Sequence, residues 1–140
     1  IQCLVPLDDA DLDEPGLPVI GRVAAGVPID SVAHVEKTVP VRAELFSAKP
    51  DYLLRVQGDS MIDIGIFDGD LLAVRKTDAA TDGDIVVARV EGEVTVKRLS
   101  TAAGQIRLLA ENAAYQPITL DDSSQFFIER HAVGVIRTAL

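Results

Sequence analysis

From Pro18 onward the chain sets short apolar stretches between turns built on glycine and acidic residues, and this pattern limits its fold more than any other feature. Residues 52–56 (YLLRV), 71–74, 85–90, 94–99, 106–109 and 126–136 are rich in Val, Ile and Leu. Asp68-Gly69-Asp70, Asp82-Gly83-Asp84 and Glu91-Gly92-Glu93 punctuate them. Runs of this length and composition suit a pleated, half-buried strand, and the glycine-containing breaks suit tight turns. Residues 19–23 and 39–41 are shorter β-like pieces on either side of a break at Gly26 and Pro28. The Glu91-Gly92 turn predicts a hairpin joining 86–90 to 94–99. No heptad and no long amphipathic helical period is present. The expected fold is mainly β: a compact, partly open β-barrel or folded sheet.

At 140 residues, 48% of them apolar, the chain is one domain with enough material for a core. Trp is absent and aromatics make up only 4%, so that core must come from Val, Ile, Leu and Ala. Residues 7–18 (LDDADLDEPGLP) read as a charged, extended linker. The expected division is a linker over 1–15 and a folded domain over 16–140. Because the sequence opens without Met and on that linker, it is expected to be a fragment of a longer protein.

The formal net charge of −9 opposes phosphate, whereas nucleic-acid binders concentrate Lys and Arg, so this fragment is not expected to bind DNA itself. Cys3 is the only cysteine, which excludes an internal disulfide and fits a reducing cytoplasm. His34 and His131 lack the partner spacing of a metal site, so no metal and no cofactor is expected. No apolar run is long enough to cross a bilayer and no secretory signal is visible, so no membrane partner is expected.

Three segments can carry chemistry. Ser60, in Gly58-Asp59-Ser60-Met61, follows an apolar strand. It can cap a short helical turn, with Asp63 closing a capping box. It can equally be a nucleophile beside backbone N–H groups that hold an oxyanion. Lys97 lies in Val94-Thr95-Val96-Lys97-Arg98-Leu99, where alternation puts Thr95, Lys97 and Leu99 on one face. A lysine on a strand is ordinarily solvated, yet both faces of this one look apolar. Burial disfavours an ammonium, and a shift of about three pKa units costs roughly 4 kcal/mol, to be met by packing around the stem. A lysine held neutral in that way can take the proton of Ser60 without any histidine. The third segment is Val23-Ala24-Ala25-Gly26-Val27. It reads either as a flexible loop or as a scissile bond at Ala25–Gly26, with Val23 and Ala25 pointing the same way, Ala25 into a small pocket and Val23 into a larger apolar one. Gly26 would let the backbone come close to Ser60.

Taken in order, Gly21-Arg22-Val23-Ala24-Ala25-Gly26, Gly58-Asp59-Ser60-Met61 and Val94-Thr95-Val96-Lys97-Arg98-Leu99 resemble the LexA family of self-cleaving repressors of the bacterial SOS response, in the S24 peptidases. Asp63-Ile64-Gly65-Ile66, Asp68-Gly69-Asp70-Leu71-Leu72-Ala73-Val74 and Ala132-Val133-Gly134-Val135-Ile136-Arg137 extend the likeness over about 16–137. UmuD-like proteins share the fold and the Gly-Asp-Ser-Met motif but are cut at Cys-Gly, whereas this chain has Ala25-Gly26. Signal peptidase I uses similar chemistry but needs a membrane anchor.

The resemblance implies a LexA/signal-peptidase type of sheet, with Ser60 as nucleophile, Lys97 as general base and Ala25–Gly26 as the bond cut. Val23, Ala24 and Val27 would belong to the substrate loop, about 21–31, and the backbone N–H groups of Asp59 and Ser60 would serve as oxyanion donors. It also implies a cytoplasmic homodimer stimulated by a RecA filament on single-stranded DNA. Operator DNA would be bound only through a missing N-terminal domain. The terminal run 133–136 is expected either in the pairing surface, by edge-strand addition, or as an interior core strand.

Overall fold

A computed structural model describes residues 16–24, 27–77, 80–120 and 126–137. Nine strands hydrogen-bond into one mixed sheet. In chain order they are β1 (Leu17–Ile20), β2 (Val35–Val39), β3 (Tyr52–Arg55), β4 (Leu71–Lys76), β5 (Ile85–Val90), β6 (Glu93–Ser100), β7 (Ile106–Leu109), β8 (Ile118–Leu120) and β9 (Phe126–Ile136). Their order across the sheet is β2-β1-β3-β4-β9-β5-β6-β7-β8. Among the described residues only β1 and β3 run parallel. Among the described residues β2 and β8 do not pair with each other, so the sheet is folded and not closed into a barrel. The mainly β expectation holds.

Local sequence explains several of the boundaries. The β5–β6 hairpin closes with Val90 opposite Glu93, leaving Glu91 and Gly92 as a two-residue turn. Both have positive φ, 51° and 85°, the type I′ geometry whose twist matches the strands it joins. β2 occupies Val35–Val39, upstream of the expected 39–41, because Pro40 has no N–H to continue a ladder. β1 stops at Ile20 and does not reach residue 23; the Gly21 N–H turns instead to the His34 carbonyl (3.3 Å). β8 is only Ile118–Leu120, too short for alternation to reveal it.

β9 lies in the middle of the sheet, bonded to β4 on one side and β5 on the other. Phe126–His131 pair with β5 and Arg130–Ile136 with β4, so among the described residues Ala132–Ile136 pair with β4 alone, with Val133 buried and Val135 exposed. Residues 133–136 are therefore held by β4 on one side, while the pairing with β5 ends at His131, so the placement fits both expectations for this run. The linker expected over 1–15 lies outside the described residues.

Three apolar clusters cover the sheet. Tyr52, Leu54, Leu72, Val74, Val87, Ile29 and Met61 pack on one face. Leu53, Leu71, Ala73 and Val19 pack on the other. Val86, Ala88, Leu99, Leu108 and Leu120 fill the far end. Adjacent residues of β3 and β4 thus belong to opposite clusters, which is why both strands read as continuous apolar runs without alternation. Met61 ties the segment after β3 into the first cluster and leaves Ser60 just above it.

Candidate active site

Ser60 sits on a short connection whose ends are fastened to the Asp68–Asp70 turn. The Val56 N–H donates to the Asp70 carbonyl, the Gly69 N–H to the Val56 carbonyl, and the Gly58 N–H to Asp68 Oδ1, each at 2.8 Å. Gly58 has φ +89°, a left-handed conformation that side chains resist, and it turns the chain from β3 into the Ser60 bend. Beneath this turn Asp70, 3% exposed, accepts bonds from the Phe67 N–H and from Arg137 Nε and Nη2. Those contacts hold its carboxyl below the usual carboxylate range despite the opposing effect of burial, with the Arg137 hydrogen bond the largest cause. The Arg137 guanidinium also stacks on Phe67, 4.6 Å from the ring centre.

Ser60 is no helix cap. The following 3₁₀ turn, Ile62–Ile64, has Met61 at its N-cap with no side-chain bond, and the Asp63 N–H goes to the Glu111 carbonyl. The hydroxyl of Ser60 faces β6, where Lys97 Nζ lies 3.1 Å from Oγ.

Lys97 is 8% exposed. Fully buried Val86 stands opposite it on β5, and Thr95 shares its face, as alternation requires. Desolvation lowers its pKa from the ordinary 10.5. Nζ also lies 2.6 Å from Thr95 Oγ1 and 3.3 Å from the Val96 carbonyl. A neutral amine has two N–H donors and one lone pair. Thr95 and Val96 can take the two donors, which leaves the lone pair for the Ser60 O–H. An ammonium would instead donate to all three oxygens, so the geometry serves both forms, and it is desolvation that favours the one able to accept a proton.

Near this pair an open cleft of 790 Å³ runs between the Gly21–Val23 segment, the end of β3 and the tip of the β5–β6 hairpin; Ser60, Met61 and Lys97 line it. Val23 packs partly buried on the first cluster. The loop that continues from it is gripped on both sides. The Ala24 N–H donates to His34 Nε2 (3.0 Å), and His34 Nδ1 lies 3.1 Å from the Ile29 carbonyl, so the neutral Nδ1–H tautomer satisfies both. Arg89 donates to the Ala24 carbonyl (3.4 Å) and the Val27 carbonyl (2.6 Å). Ala25 and Gly26 themselves lie outside the described residues. Neither His34 nor Arg89 was singled out from the sequence. His34 was weighed only as a metal ligand, and among the described residues no group of His, Cys, Asp and Glu could hold a metal.

The sequence pattern of the S24-like peptidases matches residues 18–134, which takes in the cleft, Ser60 and Lys97. This chain belongs to that family. Within it, the chain is similar to the LexA repressor of Alcanivorax borkumensis, 54% identical over 131 residues that make up 94% of this chain and 64% of that protein. It is 55% identical to the LexA repressor of Dechloromonas aromatica, covering 92% of this chain and 65% of that protein. The LexA repressor of Vibrio campbellii is 54% identical, over 94% and 64% respectively. The chain thus spans a little under two thirds of the length of these S24-family relatives. Among the described residues no helix is long and apolar enough to cross a membrane.

Proposed function

We propose that this S24 domain cleaves its own backbone between Ala25 and Gly26, with Ser60 as nucleophile and Lys97 as general base. What supports this most is the 3.1 Å approach of a buried lysine amine to a serine hydroxyl, with no histidine in the arrangement. Lys97 takes the Ser60 proton as Oγ bonds to the Ala25 carbonyl carbon, and the carbonyl oxygen becomes an oxyanion. The backbone N–H groups of Asp59 and Ser60 are its donors. The C–N bond then breaks and the Lys97 ammonium returns the proton to the Gly26 nitrogen. Water, deprotonated by Lys97, attacks the acyl ester and frees Ser60. Val23, Ala24 and Val27 hold the substrate strand in the cleft.

By likeness to the LexA repressors named above, the domain belongs to a cytoplasmic, dimeric repressor that cuts itself when DNA is damaged. The division proposed is a linker over 1–15, leading from a DNA-binding domain that contacts the operator, and the self-cleaving, pairing domain over 16–140. Cleavage removes the avidity that joins two DNA modules, so repression ends. A RecA filament on single-stranded DNA stimulates the reaction by favouring the loop position that presents the bond. If that position is populated at about 1%, making it dominant takes roughly 10⁴-fold preferential binding.

The test is prolonged incubation across neutral to alkaline pH, read by mass spectrometry. Cleavage between Ala25 and Gly26 is expected, faster as pH rises through the lowered Lys97 pKa, independent of dilution, and absent in Ser60→Ala and Lys97→Ala. A chain that stays intact at alkaline pH with activated RecA, or that cuts equally well without Ser60, overturns the proposal. Intactness would favour a non-catalytic pairing module.

A further inference from the structure

The segment Glu111–Tyr115, between β7 and β8, carries no apolar pattern and reads as an ordinary connection. In the folded chain it lies against the Ser60 bend and meets Asp59 and Asp63 through several bonds. Asn112 Nδ2 donates to the Asp59 carbonyl (2.8 Å), and the Tyr115 hydroxyl donates to Asp59 Oδ1 (2.5 Å). The Asp63 N–H donates to the Glu111 carbonyl (2.8 Å), while Arg98 holds the Glu111 carboxylate. The other face of the Asn112 side chain is also occupied, because Oδ1 accepts the Ala114 N–H at 3.0 Å.

We infer that Asn112 is a positioning residue for self-cleavage: by holding the Asp59 carbonyl it orients the Asp59–Ser60 peptide and aims the Ser60 N–H at the oxyanion. A trans peptide is planar, and its C=O and N–H point in opposite directions. Fixing the Asp59 oxygen on the Asn112 side therefore directs the Ser60 N–H away from that segment. The Ile62 N–H reaches the same oxygen only at 3.4 Å, so Asn112 is the stronger restraint. Among the described residues no backbone acceptor meets the Asp59 or Ser60 N–H, which leaves both for a ligand oxygen. An oxyanion donor works because it is fixed before charge develops, and an untethered peptide must be reoriented during the reaction. The inference rests on the proposed self-cleavage and adds a residue to it.

The two polar ends of Asn112 allow a clean test. Asn112→Asp keeps an oxygen for the Ala114 N–H but replaces the donor to Asp59 with a repelling carboxylate oxygen. Asn112→Ser keeps an oxygen for Ala114, adds no charge and is too short to reach Asp59. Wild type, both variants and Ser60→Ala are incubated side by side, with thermal melts to confirm folding. Loss of one oxyanion donor costs about 10²–10³-fold, so misaiming one is expected to slow self-cleavage roughly 10–100-fold. In Asn112→Ser the loss should be the same factor at every pH, because the Lys97 amine is untouched. A merely turn-forming role would leave both variants at the wild-type rate. A folded Asn112→Ser chain within twofold of wild type overturns the inference while the Ser60–Lys97 reading stands; should Asn112→Asp lose its melt, the serine variant alone decides. A wild-type chain that does not cut itself, or a Ser60→Ala chain that does, overturns both.

Discussion

A lysine kept neutral inside the fold leaves a thermodynamic mark that can be read without any catalysis. In the native chain Lys97 is desolvated and its pKa lies below 10.5, whereas in the unfolded chain it is an ordinary lysine. Between those two values the unfolded state binds one proton more than the native state. Stability must therefore rise with pH across that window by about 1.36 kcal/mol per unit. The contribution is fully present above 10.5 and is lost as pH falls through the folded-state value. Lys97→Met has the same unbranched stem and nothing to titrate, so it lacks this slope. Both chains should carry Ser60→Ala, so that neither cuts itself. With a urea m value of about 1–3 kcal/mol/M, the lysine chain's midpoint should gain on the methionine chain's by roughly 0.5–1.4 M per pH unit within the window. Below the window the methionine chain should be the more stable, since it carries no penalty for a buried ammonium. The chain has no Trp, so far-UV circular dichroism is the practical probe. Groups common to both chains cancel in the difference. Parallel midpoint curves from pH 7 to 10 would show that Lys97 is an ordinary solvated amine in the native state and would remove the basis for calling it a base.

Two further expectations concern stability alone. Asp70→Asn breaks a buried carboxylate pair that ties the turn beneath Ser60 to Arg137, and at neutral pH it should cost about 1.5–3 kcal/mol by urea unfolding. Because the Asp70 pKa is lowered, the wild-type advantage is full above 3.8 and should shrink as pH falls below it; a difference that persists at low pH would contradict the pairing. Gly92→Ala places a side chain at φ 85° in the hairpin turn and should destabilise by about 1–2 kcal/mol in thermal melts, whereas an unchanged melt would contradict the type I′ geometry.

Much of this molecule is written locally. The strands, the Glu91-Gly92 hairpin and the shared face of Thr95 and Lys97 follow from alternation and turn chemistry, which act between neighbours a few residues apart. The residue types of a serine–lysine pair were legible for the same reason, as was the apolar character of the strand bearing the lysine. What the sequence could not decide was which strands lie side by side and what faces what across them. Only tertiary structure puts β9 between β4 and β5, with its first half paired to β5 and its apolar end, among the described residues, to β4 alone. Only tertiary structure brings Lys97 within 3.1 Å of Ser60, 37 residues away. The same holds for Arg89 on the Ala24 and Val27 carbonyls and for Asn112 on Asp59, contacts spanning 53 to 65 residues. Such polar contacts leave no periodic trace, because their partners are chosen by packing of the apolar clusters and not by spacing along the chain. The elements are thus set by short-range sterics and hydrophobic alternation, while the chemistry is set by how burial of those elements positions a few polar side chains.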